Sequence, residues 1–286
     1  MEIQSGLDLL EECKNRKQPI SEIMLARETE HGRLSEKEVL KKLKRSLQIM
    51  RTSASKALKQ EIQTNGGLIS GNAKKAADYA AEHTNLCGKA MSRAICYAMS
   101  VLEVNASMGL IVAAPTAGSA GVLPGVLFGL EDAFDFSEEQ LLKGMLNAGA
   151  IGYLITRNAS VAGAEAGCQA EVGTASAMAA SLIVELLSGT PQMCLNASAF
   201  ALSNLLGMVC DPIGGLVEAP CQSRNVIGVS NAFASAQLSL SGIIHTVPFD
   251  EMTEAMLKVG KSMPEALRET ALGGCAATKT GCSMCM

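Results

Sequence analysis

The side chains best able to do chemistry in this sequence are thiols. Cys168 lies in GAEAGCQAEVG, and Cys210 and Cys221 lie in LLGMVCDPIGGLVEAPCQSR, from Leu205 to Arg224. Pro212, Gly214, Gly215 and Pro220 interrupt the second stretch. Proline removes a backbone donor and glycine favours turns, so no continuous helix can run through it. The spacing is not the tight C-x-x-C of a zinc ribbon or a ferredoxin and says little by itself. The setting says more, because each of the three reads as part of a Gly/Pro-broken polar loop between apolar helices. Three thiolates on a [4Fe–4S] cluster leave one iron open, and an open iron can polarise a substrate oxygen as a Lewis acid.

Other groups could serve such a centre. Arg157, Asn158, Ser160, Glu165, Gln169 and Glu171 crowd around Cys168 between apolar runs, where polar groups are costly unless paired or used. Glu165, Glu171 and Glu218 are the in-chain candidates for a general base, and the sequence does not choose among them. His83, beside Glu82 and Thr84, reads as a surface or cap residue; His245, near Pro248, reads as a helix-end residue. Each is kept as an alternative base. From Val104 to Leu127, Asn105, Ser107, Thr116 and Ser119 alternate with Gly109, Gly118 and Gly121. Such a loop can bring backbone N–H groups to an anionic ligand or let two helices pack closely, and composition leaves both open. The ending LRETALGGCAATKTGCSMCM carries Cys275, Cys282 and Cys285, predicting a tail that either folds back or is reactive.

The elements that must position these groups are helices. Of the 286 residues, 48% are hydrophobic, 18% charged and 3% aromatic, with no Trp and 15 Met. Small, flexible apolar side chains without strand-like alternation predict an all-α fold. Residues 1–62 read as a helical N-terminal region packed on a catalytic helical domain, 63–286. Ser21 and Ser35 are expected as N-caps, the latter in a capping box with Glu38. Leu40, Leu43, Leu47 and Met50 recur at helical spacing. Further helices are expected at about 73–103, 121–132, 137–156, 174–187, 191–209 and 225–244, with Cys87 and Cys96 as core residues of the first.

The uncharged run Val104–Leu130 is long enough for a bilayer, but its prolines, glycines and polar residues, without basic flanks, favour a buried broken helix. A net charge of −4 leaves no basic footprint for nucleic acid. The start MEIQSGLDLLEECKN lacks the regions of a signal peptide, so the ten cysteines are expected reduced, in a cytoplasm.

PTAGSAGVLPGVL, AGCQAEVG, CDPIGGLVEAPCQSRN and RETALGG resemble the alpha chain of bacterial iron–sulfur-dependent L-serine dehydratase, over about residues 65–275. The resemblance implies Cys168, Cys210 and Cys221 as ligands of a [4Fe–4S] cluster, without pyridoxal phosphate, and deamination of L-serine to pyruvate and ammonia. It also implies a separate beta chain, in a hetero-oligomer, with a homodimer as the other possibility. The base could come from that beta chain. Asn105, Ser107, Thr116, Ser119 and Arg224 are the expected substrate contacts, and Cys282 or Cys285 could close the open iron as a resting fourth ligand. The rival readings are a related iron–sulfur lyase acting on L-cysteine or L-threonine, and a zinc-stabilised interaction protein.

Overall fold

The computed structural model describes residues 2–32 and 34–284. Among the described residues the fold is all-α, with a lone parallel bridge between Cys210 and Arg268 and no strand. The principal helices are α1 (Gly6–Arg16), α2 (Ile20–Gly32), α3 (Glu36–Lys59), α4 (Asn72–Glu82), α5 (Gly88–Ala106), α6 (Val122–Phe134), α7 (Glu138–Asn158), α8 (Gly163–Ala166), α9 (Thr174–Leu186), α10 (Pro191–Asn204), α11 (Cys221–Leu240), α12 (Phe249–Ser262) and α13 (Lys279–Ser283).

Helix α9 lies at the centre. Every residue from Thr174 to Val184 is buried, which an Ala-rich stretch without charges permits on all sides; the one acid of the helix, Glu185, follows it. Helices α6, α7, α10 and α11 surround it. Helices α1–α3 contribute Leu9, Ile23, Leu47 and Met50 to the same core.

The pairing of α5 with α6 depends on a glycine stripe. Gly121, Gly125 and Gly129 recur every four residues, so they share one helix face. A Cβ at these positions would stand 2.5, 2.7 and 2.6 Å from the carbonyl oxygens of Ala98, Ala94 and Ala90. Side-chain volume there would push the helices apart, so for Gly121, the one of the three named in that loop, the choice that composition left open is resolved toward packing. The uncharged run is broken: residues 107–121 form a loop, and among the described residues no helix is long and apolar enough to cross a membrane.

Several helix starts are capped by carboxylates that are remote in sequence. Ser35 and Glu38 form the expected capping box, but Ser21 lies inside α2, and its N–H donates to Glu185 of α9 at 3.3 Å. Glu103 accepts from Ala73 N at 2.6 Å, and Asp250 from Gly6 N at 2.7 Å. The positive end of each helix thereby takes a buried or half-buried acid.

Three expected boundaries move. The 73–103 helix is two helices, because the polar run Glu82–Asn85 forms a turn in which His83 ends α4 and Gly88 adopts φ 72°. Cys87 is consequently exposed, while Cys96 is buried as expected. Helix α10 stops at Asn204 rather than near 209, ahead of Gly207 with φ 85°. Helix α11 begins earlier than expected, at Cys221, since Pro220 occupies the N-cap, where no N–H is required.

Candidate active site

Cys168 precedes one turn of π-helix, Gln169–Gly173, that leads into α9. Such wide turns re-aim side chains, and this one turns Cys168 and Glu171 toward the same spot. It is fixed by the buried amide of Gln169, whose Nε2 donates to Met256 O at 2.9 Å while Oε1 accepts from Gly207 N at 2.8 Å. Gly167, at φ 73°, completes the turn in a place where a Cβ would stand 2.8 Å from Met208 O.

Cys210 is held in extended backbone by the returning tail. Its N–H donates to Leu267 O at 2.8 Å and its carbonyl accepts from Glu269 N at 2.7 Å. The next residue, Asp211, accepts from Cys275 N at 2.6 Å and pairs with Arg224 at 2.5 Å. The tail therefore folds back. Cys221 is the first residue of α11, a helix end rather than the open loop expected of it.

These segments converge. Cys168 Sγ, Cys210 Sγ and a Glu171 oxygen all lie within 4.8 Å of one another, and all three residues are buried. Cys210 Sγ donates toward Glu171 Oε2 at 3.9 Å. Burial pushes the Cys221 thiol up to about 12, with the charges of Cys168 and Glu171 adding to the effect. A hydrogen bond shared with Cys168, then burial, raises Cys210. Burial also raises the Glu171 carboxyl, opposed chiefly by a hydrogen bond from Thr116. The donor set consists of soft sulfur with one carboxylate and no imidazole, which suits a thiophilic metal or an iron–sulfur cluster. Binding would replace the crowded thiol protons.

The loop before α6 closes on this centre. Thr116 Oγ1 donates to Glu171 Oε1 at 2.6 Å and lies 3.1 Å from Ser119 Oγ. Asn225, wholly buried on α11, fastens the loop: its Oδ1 accepts from Gly121 N at 3.0 Å, and its Nδ2 donates to Gly118 O at 2.7 Å and Cys221 O at 2.9 Å. Sequence reading gave Asn225 no role in the site, although it ends the CDPIGGLVEAPCQSRN motif. Glu269, from RETALGG, was likewise passed over.

The remaining expected residues divide. Asn105 and Ser107 close α5, and the Ser107 hydroxyl donates to Val104 O at 2.9 Å. Arg224 lies beside Cys168, but its guanidinium is taken up by Val209 O at 2.7 Å and by Asp211. Glu165 is exposed and accepts from Ser160. Glu218 is buried, and its oxygens accept from Thr64 Oγ1 at 2.8 Å, Gly66 N at 2.6 Å and Leu68 N at 2.8 Å, which makes it the organiser of the 64–68 loop. His83 stacks on Tyr79 with ring centroids 4.4 Å apart, and the ring of His245 engages Val247 and Phe200. The Cys282 thiol points to Ala276 O at 3.5 Å. Cys285 lies outside the described residues.

Fold and donor set together define a helical protein built around a buried, sulfur-rich centre. A family model described as "Serine dehydratase alpha chain" matches residues 15–276. The chain is 45% identical to the "L-serine dehydratase, alpha chain" of Peptoniphilus asaccharolyticus, over 98% of this chain and 96% of that protein. It is 43% identical to the "Probable L-serine dehydratase, alpha chain" of Bacillus subtilis, over 96% of this chain and 91% of that one. The "L-serine dehydratase" of Streptomyces coelicolor is 35% identical over 97% of this chain, which spans 61% of that longer protein. The chain belongs to the serine dehydratase alpha-chain family.

Proposed function

We propose that this chain is the catalytic subunit of an L-serine dehydratase, a lyase that converts L-serine to pyruvate and ammonia. The observation that carries the reading is the convergence of Cys168 and Cys210 on one buried spot with Glu171, beside Cys221. Cys168, Cys210 and Cys221 would hold a [4Fe–4S] cluster, whose open iron supplies Lewis acidity at the substrate hydroxyl without pyridoxal phosphate.

The chain's own residues then have distinct tasks. Among the three carboxylates considered, Glu171 alone is within reach of the thiols, and it is the base we assign for the Cα proton. Thr116 orients it, and Ser119 supports Thr116. Glu218 is spent on the 64–68 loop and Glu165 faces solvent. Arg224 holds the Val209–Asp211 segment, and with it Cys210, instead of gripping the substrate carboxylate. Aminoacrylate released after loss of hydroxide hydrolyses to pyruvate and ammonia.

The alpha-chain names of the relatives support a separate beta chain as partner, and reduced thiols suit a cytoplasmic setting. Purification without oxygen, followed by an absorbance spectrum and a pyruvate assay on L-serine with and without a beta chain, tests this reading. A brown protein that forms pyruvate from L-serine and loses activity in air is expected. A colourless, air-stable zinc protein would overturn the proposal, and turnover of L-cysteine or L-threonine in preference to L-serine would overturn the substrate.

A further inference from the structure

A second carboxylate stands over the sulfur centre. Glu269 follows the bridge that fixes Cys210 and has φ 63°, a left-handed conformation uncommon outside glycine. The backbone bond from Glu269 N to Cys210 O, 2.7 Å long, ties it there. A Cβ on Gly163 would stand 2.5 Å from Glu171 Oε2 and 3.1 Å from Glu269 Oε2, so the two acids share the space above one glycine. Glu171 is 8% exposed and Glu269 opens to solvent.

Two carboxylates this close repel, and the repulsion is relieved when one of them holds a proton or when a cation lies between them. Arg224 acts on Glu171, but it also serves Cys168 and does not pair with Glu269. Among the described residues, no ion pair or hydrogen bond engages the Glu269 side chain. The neighbouring Arg268 turns its guanidinium to the Glu165 carbonyl at 3.4 Å, and Arg224 is held by Val209 and Asp211. The space also adjoins a buried donor set that itself calls for a ligand. A cation that enters here with a substrate is the ammonium group of an amino acid.

We propose that Glu269 receives the α-ammonium group of the substrate and so selects amino acids over hydroxy acids. The inference rests on the serine reading above. Nitrogen and Cα are bonded neighbours, so an ammonium group on Glu269 carries the Cα proton toward Glu171 beside it. One acid then binds and the other takes the proton.

The test uses the cluster-loaded enzyme with its partner subunit and the variants Glu269→Gln and Glu269→Asp. Two measurements are made: steady-state kinetics on L-serine, and calorimetric binding of L-alanine, which keeps the ammonium group but has no hydroxyl to lose, and of 3-hydroxypropanoate, which lacks the ammonium group. Loss of a charge-assisted hydrogen bond in E269Q should weaken L-alanine binding and raise the KM for L-serine by roughly 10- to 100-fold, with kcat changed by less than about threefold. Binding of 3-hydroxypropanoate should stay as in the wild type, and E269D should recover part of the L-alanine affinity. Equal weakening of both ligands would overturn the assignment, as would a fall in kcat at unchanged KM. Loss of cluster absorbance in both variants would show Glu269 to be part of the loop's fold and would overturn it too. A wild-type enzyme that binds neither ligand would instead bring down the serine reading, and this inference with it.

Discussion

Replacing Asn225 by Ala removes three hydrogen bonds at once, to Gly121 N, Gly118 O and Cys221 O. Each such bond contributes about 0.5–1.5 kcal/mol net, and a buried donor left unmet costs about 1–3 kcal/mol. Asn225 is fully buried and Gly121 N has its partner in Oδ1, so N225A should cost on the order of 3 kcal/mol. For a chain of this size that corresponds to a fall in Tm of roughly 5–10 °C. Circular dichroism melting of the metal-free chain reads this directly. N225D keeps the acceptor for Gly121 but sets an acid oxygen against the carbonyls of Gly118 and Cys221, and it should be no more stable than N225A. In the loaded enzyme both variants release the loop that carries Thr116, so KM for L-serine should rise or kcat fall. A Tm within about 1 °C of wild type, or an N225D variant as stable as the parent, would refute the claim that this amide locks the loop to the helix of Cys221.

Gly125→Ala should destabilise by about 1–3 kcal/mol, since its Cβ would stand 2.7 Å from Ala94 O, whereas Gly149→Ala in α7 meets nothing within 4 Å and should gain about 0.5–1 kcal/mol; denaturant melts compare the pair. Burial raises the Glu185 carboxyl above its ordinary value of 4.5 in the folded state. Its contribution to stability is therefore fully present below that value and is lost as pH rises through the raised one, so E185Q should gain on the wild type as pH climbs from about 4.5 toward neutrality, in melts followed against pH. Truncation after Ala277 spares the ties from Leu267, Glu269 and Cys275 to the Cys210–Asp211 segment, so cluster absorbance and serine affinity should survive the loss of Cys282. Loss of the cluster would show that the distal tail supplies a ligand.

The helices were legible because their signals are local. The Ser35–Glu38 box and the spacing of Leu47 and Met50 depend on neighbours a turn away, and the structure keeps them. The errors at Ser21 and Cys87 arose where a remote or competing group decides: Glu185 caps α2 from another helix, and a short polar run outweighs a long apolar pattern. In the site, Cys168, Cys210, Glu171, Thr116 and Ser119 were legible by residue type and setting. What a guanidinium or a carboxylate does with its hydrogen bonds was not. Arg224 and Glu218 had the right chemistry, yet their partners, Asp211 and the 64–68 loop, are contacts made only in three dimensions. Glu269 escaped notice because its value lies in a backbone twist that turns it over Gly163.

The bridge between Cys210 and residues 267–269 also bears on how the protein is made. Cys168 lies just before the turn into α9 and Cys221 begins α11, so both can be placed once those helices have been synthesised, but the backbone that fixes Cys210 is supplied by residues 267–269, which are made later. A growing chain thus exposes its thiols before it can aim them. Faithful metal loading therefore waits for residues 267–269, and until they dock those sulfurs are open to stray metals and oxidants.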